Sequence, residues 1–440
     1  MIADIGLINL SLVLLLLLTL ILSSGIWIAV GLGIVGFAAM LISAPAGVPI
    51  GNVLATTVWS ATASWTLAAL PLFIWMGEIL FRTRLSEEMF KGLAPWVQWL
   101  PGRLMHVNVI GCGIFATMSG SSAATCATIG KIALPELEKR GYDRDMSLGS
   151  LAGSGTLGLL IPPSIPMVVY AVTANVSVLK VFLGGFLPGL LVMSLYSGYI
   201  IVWSLLNPGK TPPRDPIIPF MEKMRQSAKL IPCLLLIATV FLSLTLGIAT
   251  ATECAAFGVI GALVLAWWSG TLTRASFFES VMSTTRLTCM IMLILAAASF
   301  CTAAMAYTGI PAALADWVKG QNLKPHMLVF ALTIMYILLG CLIDGISMIV
   351  LTMVIVLPMV KQAGFDLVWF GVYLVIHVEM AQITPPVGFN LFVLQNMSGR
   401  DTFSVAKAAF PFFLLLNAAV IIITTFPGIV MVLPNYVFPE

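Results

Sequence analysis

The sequence predicts an all-α polytopic membrane protein with two re-entrant hairpins and two broken helices, arranged in an internal repeat whose copies are parallel or inverted. Three observations predict it. Of 440 residues, 60% are hydrophobic and only 9% are charged, whereas a soluble domain carries about 25% charged residues. The mean hydropathy is +1.06. The apolar residues fall in long runs rather than in alternation, which excludes a β-barrel. Finally, Gly and Pro interrupt those runs at matching places in the two halves. A chain of this composition cannot clothe a water-facing surface, so soluble, disordered and nucleic-acid-binding classes are excluded. At about 20 apolar residues per crossing the length allows roughly 10–12 transmembrane helices.

The first apolar segment, residues 7–22, is preceded by MIADIG, which carries Asp4 and no Lys or Arg. It lacks the basic flank of a signal peptide and reads as the first transmembrane helix. Further apolar runs follow near 25–42, 50–81, 104–118, 148–172, 181–206, 230–248, 253–269, 287–306, 326–343, 346–360, 367–380 and 410–433. Residues 207–229 form the only Pro-rich, charged linker, with Lys210, Arg214, Lys223, Arg225 and Lys229 against Asp215 and Glu222. By the positive-inside rule this linker is cytoplasmic. Leu85–Leu100 and Pro311–Leu323 are amphipathic and predict arm helices at the interface. The expected organisation is N-terminal scaffold helices (1–82), a first repeat (83–206), the linker (207–229), central scaffold helices (230–306) and a second repeat (307–440).

The repeat is visible directly. ALPELEKRGYD (133–143) aligns with VLPMVKQAGFD (356–366) at an offset of 223 residues. The same offset pairs Pro162-Pro163 with Pro385-Pro386 and Pro188 with Pro411. Duplicated halves are a common build for secondary transporters, with the site at the repeat interface.

A helix cannot run through Pro-Pro, because two amide donors are lost and each preceding residue is pushed toward extended geometry. Open backbone in lipid costs several kcal/mol per group, so such a break belongs where it is buried or lines a polar cavity. Freed carbonyls can hold a cation, and half-helix N-termini can face an anion. Carbonyls and hydroxyls with few carboxylates suit sodium better than calcium or magnesium. Ser119–Pro135 and Asp344–Pro358 are short, begin at polar or Gly-rich clusters and end at Leu-Pro. They read as parts of re-entrant hairpins.

GSGTLGLLIPPSIPMVVYAV (153–172), ITPPVGFNLFVLQ (383–395) and GIATATECAAFGVIGAL (247–263) resemble the large membrane subunit of tripartite ATP-independent periplasmic (TRAP) transporters. The resemblance runs over essentially the whole chain. Ala251, Cys254 and His377 depart from the family's commoner residues. The resemblance implies an elevator-type, sodium-coupled importer of a small organic acid, such as a C4-dicarboxylate, in the bacterial cytoplasmic (inner) membrane. It also implies two partners, a small membrane subunit of about four helices and a periplasmic substrate-binding protein. Two or more sodium ions are expected and no organic cofactor. Carried over by motif, one sodium site involves Ser119, Gly120 and Ser122 with Gly158, Ile161 and Pro163. The other involves Gly340 and Ile343 with Ala381, Thr384 and Val387. The offset of 223 agrees, pairing Gly158 with Ala381, Ile161 with Thr384 and Gly120 with Ile343.

Candidates for substrate contact are Ser121, Ser164, Asp344, His377, Asn390 and Arg286. The competing readings are a solvent-exposed tip for Asp344, packing for His377 and an interfacial position for Arg286. Glu253 reads as an anchor at a helix start, with Thr250 or Thr252 as cap. The seven cysteines lie in apolar stretches without CxxC spacing and read as small hydrophobes. The sequence contains no Walker A motif and no G-x-S-x-G elbow, so neither an ATP motor nor an intramembrane hydrolase is expected. The alternative function is a stand-alone sodium/anion symporter of a related two-hairpin fold that uses no binding protein.

Overall fold

The computed structural model describes residues 2–45, 47–83, 85–213, 219–320 and 325–438. Arg214 and Asp215 of the linker and Leu323 at the end of the second arm lie outside the described residues, as do the side chains of Lys229 and Trp317. The described residues are helical, with no strand among them. In chain order the helices are α1 (Ile2–Ser23), α2 (Ile28–Ser43), α3 (Ile50–Thr62), α4 (Ala69–Phe81), α5 (Leu85–Val97), α6 (Met105–Ser119) and α7 (Ser122–Lys139). Then come α8 (Arg144–Thr156), α9 (Ile165–Ala174), α10 (Val178–Leu206), α11 (Phe220–Ser227), α12 (Ile231–Thr245), α13 (Ala251–Trp268) and α14 (Arg274–Thr308). The rest are α15 (Ile310–Gly320), α16 (Pro325–Gly340), α17 (Gly345–Gln362), α18 (Leu367–Gln382), α19 (Phe389–Ser398), α20 (Thr402–Thr425) and α21 (Gly428–Val437).

Five of these, α10, α13, α14, α17 and α20, are long and apolar enough to cross a membrane by themselves, and the bent pair α11 and α12 makes a sixth. The count expected from the sequence is reached only when the shorter apolar helices are added, because several runs are divided by breaks and tips. The outer faces are apolar: Leu15, Leu16, Trp59, Phe257, Trp268, Phe330 and Ile421 are each more than half exposed. In water such a surface would be a liability; against acyl chains it is the favoured one.

The duplication governs local geometry. Asp143 caps α8 by accepting the Met146 amide at 2.9 Å, and its equivalent Asp366 caps α18 by accepting the Val368 and Trp369 amides at 2.7 and 3.0 Å. Gly141 and Gly364 close α7 and α17 with φ of +78° and +77°. In both copies the residue after the glycine reaches back five positions to form a Schellman closure, Tyr142 to the Leu137 carbonyl and Phe365 to the Val360 carbonyl. Only a residue without a Cβ takes this left-handed turn freely. Pro135 and Pro358 lie inside α7 and α17, and Pro188 and Pro411 inside α10 and α20.

The same offset extends beyond the sequence match. α2 starts at 28 and α13 at 251, while α5 and α15 correspond as the two arms. The stretch holding α3 and α4 corresponds to α14, which is one continuous helix of 35 residues, about 52 Å long at 1.5 Å per residue. Packing between the copies is reciprocal. α2 packs on α14 while α13 packs on α4, α8 packs on α20 while α18 packs on α10, and α7 packs on α19 while α17 packs on α9. This is the pattern that a two-fold relation between the copies creates. Small residues allow the close crossings: a Cβ on Gly149 would lie 2.1 Å from the Ala408 carbonyl oxygen.

The arms are packed rather than free. α5 lies on α6 and α11, and Trp96 Nε1 donates to Ser227 Oγ at 2.6 Å. Glu253 anchors α13 in a reciprocal cap with Thr250: the Thr250 amide donates to its carboxylate at 2.7 Å and the Glu253 amide donates back to Thr250 Oγ1 at 3.4 Å. The cysteines form no disulfide, and Cys112, Cys126, Cys233, Cys254 and Cys301 are buried.

Candidate functional site: two hairpin tips against two broken helices

Each repeat brings a hairpin tip onto the break of its own discontinuous helix. In the first, α6 ends at Gly120, which is left-handed at φ +56°, and α7 begins at the N-cap Ser121, whose Oγ accepts the Ala124 amide at 3.4 Å. The Ser119 and Thr125 hydroxyls lie 2.6 Å apart and reach the Ser121 carbonyl at 3.2 and 2.8 Å. Opposite this tip, α8 tightens into a 3₁₀ turn at Leu157–Leu159 and the chain passes through the cis Pro162-Pro163 bond before α9. A Cβ on Gly158 would sit 2.6 Å from the Ser121 carbonyl oxygen and 2.8 Å from Thr125 Oγ1. One on Gly120 would sit 3.1 Å from the Pro163 carbonyl oxygen. The two glycines thus let two stretches of main chain meet with their oxygens together. Ser164 Oγ donates to the Leu159 carbonyl across the break.

The second junction repeats the plan. Gly340 ends α16 where a Cβ would lie 2.8 Å from Ala381 Cβ. Asp344 caps α17, accepting the Ile346 and Ser347 amides at 3.1 and 3.2 Å and the Ser347 hydroxyl. The break after α18 passes through the cis Pro385-Pro386 bond. Thr384 Oγ1 donates to the Met380 carbonyl, and the Thr384 carbonyl accepts the Gly388 amide at 3.0 Å.

The structure therefore gathers Ser119, Gly120 and Ser122 with Gly158, Ile161 and Pro163 around one tip and break. Gly340 lies directly on Ala381, with Ile343 on the second tip and Thr384 and Val387 on the second break. The Ser122 and Thr384 hydroxyls give their hydrogens to protein oxygens, which leaves oxygen lone pairs to face a cation. Among the described residues no group of three His, Cys, Asp or Glu is placed to hold a metal. A donor set of carbonyls and hydroxyls, brought together by glycines that admit no Cβ, fits an alkali cation and not a divalent one.

The substrate candidates separate. Ser121 and Ser164 flank the first junction, and Asp344 stands at the second tip. Asn390 is fully buried and braced: Nδ2 donates to the Ala152 carbonyl at 3.1 Å and Oδ1 accepts the Ser122 hydroxyl at 2.8 Å. It ties the first tip and α8 to α19 of the other repeat. His377 is 1% exposed, packed between the Tyr336 and Tyr373 rings, with Nδ1 2.8 Å from the Tyr373 carbonyl. Arg286 belongs to neither junction; it lines an open cleft with Arg82 and Glu279 on α14 and the end of α4. Sequence reasoning missed Thr125, whose signal was its helical i,i+4 spacing from Ser121. Next to the first junction a narrow apolar crevice runs between Met118, Pro162 and Pro163 and the side chains of Phe73, Leu236 and Val240. Its lining suits acyl chains rather than an anion.

The family model of the tripartite ATP-independent periplasmic transporter DctM component matches residues 12–429. The chain belongs to this family. It is 31% identical over 406 residues to the C4-dicarboxylate TRAP transporter large permease protein DctM of Pseudomonas aeruginosa, covering 92% of this chain and 94% of that one. The sialic acid TRAP transporter permease protein SiaT of Haemophilus influenzae is 27% identical over 383 residues, covering 86% of this chain and 61% of that one. Among solved structures, the Alcanivorax borkumensis YdaH transporter superposes with a TM-score of 0.65 at 13% identity, covering 91% of this chain and 97% of that one. That likeness concerns fold alone. The TRAP large permease is a membrane transport component, and the relatives are named as permeases, not enzymes.

Proposed function

We propose that this TRAP large permease imports a small organic acid, a C4-dicarboxylate or a related carboxylate, across the bacterial inner membrane by coupling to sodium. The substrate is delivered by a periplasmic substrate-binding protein, and a small membrane subunit of about four helices completes the complex. The observation that carries this reading is the paired junction: two hairpin tips lie against two helices broken at Pro-Pro at equivalent positions, and at the first of them the Ser121 carbonyl and the Ser119 and Thr125 hydroxyls come together against Gly158.

Ser119, Ser122 and the carbonyls of Gly158, Ile161 and Pro163 hold one sodium ion. Gly340, Ile343, Ala381, Thr384 and Val387 hold another through their carbonyls and, at Thr384, the hydroxyl. Bound sodium supplies positive charge next to the place where the carboxylate docks. The N-termini of α7 and α9 point their free amides toward that anion. The two hairpins and two broken helices, tied together through Asn390, move as one body against α2, α4, α13 and α14. Each elementary charge crossing the membrane gains about 2.3 kcal/mol per 100 mV. A dianion with two sodium ions is neutral and gains nothing, so electrogenic import of a dianion requires a third cation.

The test is uptake in proteoliposomes holding both membrane subunits. Labelled succinate import should require an inward sodium gradient and the binding protein. Import that persists without any sodium gradient would refute the coupling. Sodium-driven import without the binding protein would favour a stand-alone symporter.

A further inference from the structure

We infer that Asp344 sets the cation affinity of the second junction, by supplying a full negative charge that the first tip lacks at the equivalent position. This rests on the reading of the junctions as sodium sites. Position 344 lies 223 residues beyond Ser121, and both residues do the same structural job. Ser121 is the N-cap of α7 and Asp344 the N-cap of α17. Each follows the glycine-bearing end of the preceding hairpin helix, and each is followed at once by a packed residue, Ser122 bonded to Asn390 and Gly345 set against α18. Gly345 lies against α18, where a Cβ would come 2.1 Å from Val378 Cγ1.

The chemistry differs. A neutral hydroxyl and a carboxylate cap a helix about equally well, so capping does not explain the acid. A carboxylate in a dry region is costly without a positive partner. Asp344 has three hydrogen bonds from its own helix start, two amides and the Ser347 hydroxyl, but no Lys or Arg is paired with it among the described residues. It is not fully buried, and the peptide carbonyl of Ile343 immediately precedes it. A cation held by that carbonyl would be the missing counter-charge. The carboxylate of Glu379 on the packed helix α18 lies beside Thr156 and the Leu160 amide of the first repeat, so it does not duplicate this role. The first tip gathers only hydroxyls and carbonyls. Asp344 also counteracts the positive end of α17, which leaves the first junction as the better place for the substrate carboxylate.

The test is a sodium titration of the full-length chain in lipid nanodiscs, at constant ionic strength with choline chloride, read by the melting temperature. Asp344→Asn keeps the cap and removes the charge. It should melt near the wild type without sodium and require about tenfold more sodium before the melting temperature begins to rise. Ser121→Asp should bring that rise to about tenfold lower sodium. An unchanged onset in either variant, with the wild type still stabilised by sodium, overturns the role of Asp344 and leaves the sodium reading intact. A wild type that sodium does not stabilise overturns the sodium reading itself. If Asp344→Asn does not accumulate as folded protein, Ser121→Asp alone decides: no shift to lower sodium overturns the inference.

Discussion

Thr156 and Glu379 occupy equivalent positions of the two repeats and meet each other across the repeat interface. Glu379 is fully buried, with its carboxyl group near the Thr156 hydroxyl and the Leu160 amide and within electrostatic reach of Tyr196, yet neither oxygen makes a well-formed hydrogen bond. A residue on a two-fold axis contacts its own counterpart, so this pair marks where the two broken helices cross. An intramembrane acid without a counter-charge is expensive to hold in place. Glu379→Gln keeps the shape and removes the charge. It should raise the melting temperature of the purified chain by a few degrees, and a drop of several degrees would show that the carboxylate has a stabilising partner.

Thr384 offers a second, more local test. Its hydroxyl hydrogen goes to the Met380 carbonyl, so Thr384→Ala removes one oxygen from the second break without changing the path of the chain. The sodium concentration for half-maximal uptake should rise several-fold while the amount of protein in the membrane stays near normal. Unchanged sodium dependence would remove this hydroxyl from the site.

Close approach of main chain at the first junction can be challenged at Gly158. An added methyl would collide with the Ser121 carbonyl at 2.6 Å and Thr125 Oγ1 at 2.8 Å. Gly158→Ala should cost about 1–3 kcal/mol by overpacking and abolish uptake. Gly198→Ala is the control, since a Cβ there meets nothing within 4 Å and a mid-helix glycine is about 0.5–1 kcal/mol worse than alanine. Melting temperatures of the two variants should move in opposite directions.

Outside the membrane-spanning segments, Asp401 caps α20. The Ser404 hydroxyl and then the Ser404 amide hold its carboxyl below the ordinary value. A group depressed in the folded state adds stability above its unfolded pKa, about 3.9, and loses it as pH falls through the folded value. Asp401→Ala should therefore melt below the wild type at neutral pH, with the gap closing as the pH is lowered below about 4. A gap that stays constant down to pH 3 would show that the cap does not act through its charge.

The breaks were legible because Pro-Pro and left-handed glycine turns are local instructions: Gly141 and Gly364, Asp143 and Asp366 act within a few residues of themselves. The brace from Ser122 through Asn390 to Ala152 was not legible, since it joins residues 268 and 238 positions apart and only packing of the two copies creates it. The correspondence of α2 with α13 was hidden for another reason. Lipid-facing helices keep their length and place while exchanging one apolar residue for another. Arg286, for which an interfacial position competed with substrate contact, stands beside Arg82 and Glu279 in an open cleft, a placement that depends on how far its helix extends and not on its immediate neighbours in sequence.

The Ser122–Asn390 link has a thermodynamic consequence. Because it fastens one repeat's loop tip to the other repeat's half-helix, order imposed at either pocket restricts motion at its twin. An ion arriving second then finds a partner already stiffened, and has less disorder to remove. On the proposed reading of the two junctions as sodium sites, occupancy should rise more steeply than two independent pockets would allow, and cutting the link with Asn390→Ala should flatten that curve toward simple saturation.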